Sequence, residues 1–84
     1  MELLRTAEVL RRLGLRDRKT LESRVRAGMW VRPVKVGERA IAYPAQEVAT
    51  VLAARAVGKT NREVRALVEQ LHAQRELQAA EVGA

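Results

Sequence analysis

At 84 residues the chain is expected to hold one domain, because a second independent core would leave each half below the roughly 40–50 residues that fold without staples. It has no cysteine, which excludes a disulfide framework and a thiolate metal site, and no apolar run approaching the ~18 residues that cross a bilayer. The net charge of +6 is unevenly placed: residues 1–43 carry 11 Lys+Arg against 5 Asp+Glu, whereas residues 44–84 carry 5 of each.

Met1–Arg5 lead straight into alternating polar and apolar positions, so no signal peptide is expected and the expected location is cytoplasmic. A first helix is expected after Thr6, whose hydroxyl suits an N-cap, with Glu8 in its first turn. Val9, Leu10 and Leu13 form its inner stripe, Arg11 and Arg12 point outward, and Gly14 reads as the left-handed residue that stops it. Leu15-Arg16-Asp17 then lead to a second helix from Arg18 to Ala27, capped by Asp17 and ended by Gly28. Two short helices joined by a three-residue turn make a helix-turn-helix pattern. At about 100° per residue, Leu21 and Val25 share an inner face with Arg18 and Arg24 at its edges. Lys19, Ser23 and Arg26 face the other way, with Glu22 beside them.

From Trp30 the period changes. Pro33 forbids a helix interior, and Val34-Lys35-Val36 and Ala40-Ile41-Ala42-Tyr43 flank Gly37-Glu38-Arg39 as a β-hairpin with a three-residue loop. Pro44 suits the first position of a third helix with Val48, Val51 and Leu52 inside, ended by Gly58. Thr60-Asn61-Arg62-Glu63 is a capping box opening a fourth helix, whose stripe is Val64, Leu67, Val68 and Leu71. The stripe lapses at Gln74, Arg75 and Gln78, so a long coiled coil is not expected. The expected fold is mainly α with a small β-hairpin: a winged helix-turn-helix over residues 1–58, a C-terminal helix over 59–78 and a disordered tail over 79–84.

The one-sided positive charge points to a polyanionic partner, most commonly nucleic acid. The second helix is the candidate recognition helix: Arg18 and Lys19 suit guanine edges or phosphates, Ser23 is short enough to approach either, and Arg26 suits phosphate. Glu22 on the same face opposes phosphate, so it either accepts from a cytosine amino group or pairs with Arg18 or Arg26, the pair being favoured. On the hairpin, Lys35 and Arg39 are placed to reach past the body of the domain, Arg39 toward a minor groove. Trp30 and Tyr43, the only aromatics, sit at joints and are expected to cover the hairpin base rather than stack on bases.

Other chemistry finds no support. Gly58-Lys59-Thr60 resembles the tail of a P-loop, but Ala53 stands where that loop needs glycine and the segment follows a helix. Ser23 is the only serine, His72 the only histidine, and nothing in the sequence puts them together, so no enzyme, cofactor, metal or small-molecule substrate is expected. The stripe Val64, Leu67, Val68 and Leu71 either packs on the core or forms a homodimer contact.

These residues carry a resemblance to the AlpA-type phage regulatory proteins, within the broader MerR-like winged helix-turn-helix group. It covers about residues 3–58: Leu3-Leu4-Arg5, then Gly14-Leu15 with a capped short helix and Arg26-Ala27-Gly28, then Arg32–Pro44, whose RPVKVGERAIAYP is the most specific part. Two positions depart: Arg16-Asp17 stand where that family usually has one Ser or Thr, and Glu22 where a tyrosine is common. The resemblance implies a transcriptional activator or repressor of a prophage or integrative element, or an excisionase-like factor that directs recombination. From a different class, the alternative is a protein-interaction adaptor or antitoxin that sets the fourth helix and the basic face against an acidic protein.

Overall fold

The computed structural model describes residues 1–83, in the order β1 (Leu3–Arg5), α1 (Thr6–Leu13), α2 (Arg18–Arg26), β2 (Val34–Lys35), β3 (Ile41–Pro44), α3 (Ala45–Ala56) and α4 (Asn61–Gly83). The expected class is met: four helices surround a small antiparallel sheet, among the described residues, with α1 and α2 forming the helix-turn-helix and β2–β3 the hairpin. Local signals set the helix ends. Gly14 and Gly28 adopt φ of 71° and 77°, which lets Leu15 N–H reach back to Leu10 O and Met29 N–H to Arg24 O, each at 2.9 Å. Those bonds satisfy carbonyls that the helix ends leave free. The side chain of Asp17 accepts from Thr20 N–H at 2.9 Å and from the Thr20 hydroxyl at 3.0 Å. The box at α4 closes both ways, Thr60 N–H to Glu63 Oε1 at 2.9 Å and Glu63 N–H to Thr60 Oγ1 at 3.1 Å.

The sheet has a third strand that the sequence did not announce. β1 pairs antiparallel with β3 in the register Leu3↔Pro44, Leu4↔Tyr43, Arg5↔Ala42, giving the order β1-β3-β2. Only Leu4 of its three residues is buried, which is too short an alternation to stand out as a period. Because β1 runs directly into α1, Arg5 takes the cap position in extended conformation, and Thr6 is the first helical residue rather than the cap. Pro44 likewise ends β3 and caps α3, one place before its expected position.

The core joins all parts of the chain: Leu4, Val9, Leu21, Trp30, Val31, Tyr43, Val48, Val51, Val64 and Val68 form one buried cluster. Trp30 and Tyr43 are each 2% exposed, covering the sheet against the helices as expected. The α4 stripe is turned to this core. Val64 is fully buried, Val68 is 2% exposed, and Leu67 and Leu71 pack against the same cluster, so the stripe is not a free homodimer contact. Burying those valines on the body removes apolar area from water within one chain, and no partner is required to do it. Helix α4 then continues to Gly83 where a disordered tail was expected from residue 79. Ala73 through Glu81 are nearly all strong helix formers with no glycine or proline among them; Ala84 lies outside the described residues. No described helix is long and apolar enough to cross a membrane.

The outer half of α4 is fastened by polar contacts. Arg75 Nε donates to Glu47 Oε2 of α3 at 2.9 Å, and its Nη2 donates to Arg32 O at 2.8 Å. His72 Nε2 accepts the Arg32 N–H at 3.0 Å, so α4 satisfies both backbone polar groups of one loop residue.

Candidate nucleic-acid interface

Helix α2 is held through Leu21, which is fully buried, and half-buried Val25, and this fixes which side chains face outward. Arg18, Lys19, Glu22, Ser23 and Arg26 are all exposed, while Arg24 at the other edge is half-buried. The expected split of the helix into an apolar inner edge and a basic outer face is therefore what the chain adopts. Its positive N-terminal end is already served by Asp17, whose carboxyl is held below its ordinary value by the bonds from Thr20.

Glu22 corrects an expectation. It makes no ion pair with Arg18 or Arg26, nor with any other described residue. An exposed i,i+4 pair is worth only a few tenths of a kcal/mol, which the entropy of two long side chains offsets. Glu22 and Arg18 instead lie close enough to Tyr43 of β3 to act on its hydroxyl, whose pKa is raised first by burial and then by the Glu22 charge, with Arg18 opposing.

The hairpin closes as expected. Val34 pairs with Ala42 and Lys35 with Ile41, and Val36 N–H donates to Ala40 O at 2.9 Å around Gly37-Glu38-Arg39. Lys35, Glu38 and Arg39 are exposed, and neither cation has a side-chain partner among the described residues.

The partners of the remaining cations separate two populations. In residues 1–43 only Arg11 and Arg12 are engaged, both by Glu8, which they hold at a pKa of about 2 through their hydrogen bonds. Arg5, Arg16, Arg18, Lys19, Arg24, Arg26, Arg32, Lys35 and Arg39 make no side-chain hydrogen bond or ion pair among the described residues. In residues 44–84 the pattern reverses. Arg55 donates to Asn61, Lys59 lies 3.8 Å from Glu63, Arg65 donates to Ala27 O and Arg75 to Glu47, which leaves only Arg62 without a partner among the described residues. The excess charge of the first half is therefore unspent on the fold and available to an external polyanion.

Sequence reasoning missed Arg32, Arg65, His72 and Arg75 as structural groups. Their contacts span 28 to 43 residues and leave no local trace. Comparison with protein-family models, with curated proteins and with solved structures returns no match.

Proposed function

We propose that this chain is a sequence-specific duplex-DNA-binding regulator, working without a cofactor, of the prophage or integrative-element kind that its AlpA-type resemblance implies. The observation that supports it most is the distribution of free cations: nine of the eleven in residues 1–43 have no side-chain partner among the described residues, against one of five in residues 44–84. A fold gains nothing from uncompensated like charge, so a polyanion is the natural complement.

In this reading α2 enters the major groove, with Arg18, Lys19 and Ser23 toward base edges and Arg26 on phosphate. Lys35 and Arg39 on the hairpin contact an adjacent phosphate or the minor groove. Glu22, which has no cation partner, accepts from a cytosine amino group or sets a penalty against wrong sequences. Such a protein works at the nucleoid in the cytoplasm.

The test is a fluorescence-anisotropy titration against DNA from upstream of the protein's own gene and against a shuffled control, at several salt concentrations. Preference for the native DNA with a steep fall in affinity as salt rises supports the reading. Equal weak binding to both, or none, overturns it in favour of a protein-interaction module. Bending of the bound duplex with occupancy of several adjacent sites would make the regulator an excisionase-like factor.

A further inference from the structure

Two surface features lack partners, and they are chemically complementary. The first is a shallow open cleft of about 510 Å³ bordered by Arg12, Arg24 and Arg55, with Leu13, Met29 and Leu52 as its apolar floor and Asn61 at its rim. Arg12 is already bonded to Glu8 and Arg55 to Asn61, but Arg24 has no side-chain partner among the described residues. Arg24 lies about 140° round α2 from Lys19, so this cleft is not the outward basic face.

The second feature is the end of α4. Glu69, Glu76, Leu77, Ala80 and Glu81 are exposed, Leu77 by 65%, on the side of the helix away from Val64 and Val68. None of these glutamates is in an ion pair among the described residues, and the nearby cation Arg75 is committed to Glu47. The helix therefore ends in an acidic surface with a leucine among its carboxylates. An arginine cleft with an apolar floor takes that combination, since the side chain enters while the carboxylates meet the guanidiniums.

A chain cannot fill its own cleft. Asn61 at the rim and Leu77 lie on the same continuous helix, about 24 Å apart along it at 1.5 Å per residue. We propose that the acidic end of α4 in one copy docks into the Arg12, Arg24 and Arg55 cleft of the next, as a head-to-tail contact between copies of this chain. Such an interface is heterologous, and each added copy presents a fresh cleft at one end and a fresh acidic end at the other. Its small size makes it weak in dilute solution, and it strengthens where copies are held close together. The proposal does not depend on the DNA-binding reading.

Sedimentation equilibrium of the full chain at low salt and without nucleic acid tests it. The average mass of the wild type is expected to rise with concentration past that of a dimer, and to fall when salt is added. A tail variant, Glu76→Gln with Leu77→Gln, and a cleft variant, Arg24→Glu with Arg55→Glu, are each expected to self-associate at least about tenfold more weakly. Mixed in equal amounts, the two variants retain one intact tail and one intact cleft, so they form a 1:1 dimer and nothing larger. If the cleft variant is unfolded by circular dichroism, Arg55→Glu alone, at an exposed position, takes its place. A wild type that stays monomeric, one that stops at a dimer, or a mixture that stays monomeric would each overturn the proposal.

Discussion

His72 on α4 accepts the backbone N–H of Arg32 through Nε2 at 3.0 Å, a bond that only the neutral ring can make. Burial lowers the His72 pKa from its ordinary 6.5, and the Arg32 and Arg75 charges lower it further, against weaker opposing effects of Glu47 and Glu76. The unfolded state then binds the proton more readily than the folded one. The stability that this bond contributes is fully present above pH 6.5 and disappears as the pH falls from there through the lowered folded value. Urea unfolding at pH 7.5, 6.5 and 5.5 should show a falling midpoint for the wild type and a flatter profile for His72→Gln. An equally steep fall in the variant would remove His72 from this role.

The Arg75–Glu47 pair should matter more than a surface ion pair, because its side chains are only 22% and 12% exposed and Arg75 also holds Arg32 O. Arg75→Met is expected to cost about 1.5–3 kcal/mol, the range for hydrogen bonds to charged groups. A double-mutant cycle with Glu47→Gln checks it: near-zero coupling would mean that the two side chains act independently.

Within the proposed interface, Lys19→Ala and Arg39→Ala are both expected to weaken binding to the native DNA. Removal of a phosphate-binding cation lowers the salt slope by about 1 with little change in sequence preference, whereas removal of a base-reading group costs about 1–3 kcal/mol and relaxes preference at one position. Lys59→Ala serves as the control, since Lys59 already lies beside Glu63. Wild-type affinity in both test variants would sink the assignment of α2 and the hairpin.

Removing the unpaired carboxylate at position 22 should act in the opposite direction. Glu22→Gln is expected to raise affinity for the shuffled DNA more than for the native sequence, because a repulsive element restrains non-specific binding. Unchanged discrimination between the two DNAs would show that Glu22 faces neither.

Loss of the Asp17 cap is expected to cost about 1 kcal/mol in Asp17→Ala, while Leu21→Ala should cost about 2–5 kcal/mol because that side chain is fully buried. Thermal unfolding separates the two, and a cost below about 1 kcal/mol at Leu21 would contradict its burial.

The helix ends of this protein were legible because their determinants act within a few residues: Asp17 on Thr20, Gly14 and Gly28 on the turns before them, Thr60 with Glu63. The hairpin was legible from its change of period, and the outer face of α2 from the positions of Leu21 and Val25. Strand β1 was not, because its three residues become a strand only beside β3, some forty positions later. The fastening of α4 by His72 and Arg75 was invisible for the same reason. Charge asymmetry was readable in the sequence; Glu8 takes Arg11 and Arg12 within one helix, but the use of Arg65 and Arg75 depends on Ala27 O and Glu47 being close in space.

Trp30 is the only tryptophan, 2% exposed, and its indole N–H is buried without a hydrogen-bond partner among the described residues. An indole so shielded emits at short wavelength and shifts to the red when water reaches it. The molecule therefore carries its own optical label at the point where α4, the sheet and the helix-turn-helix share a core. Every stability difference above can be followed by intrinsic emission, with no dye placed on the basic face that the titrations interrogate.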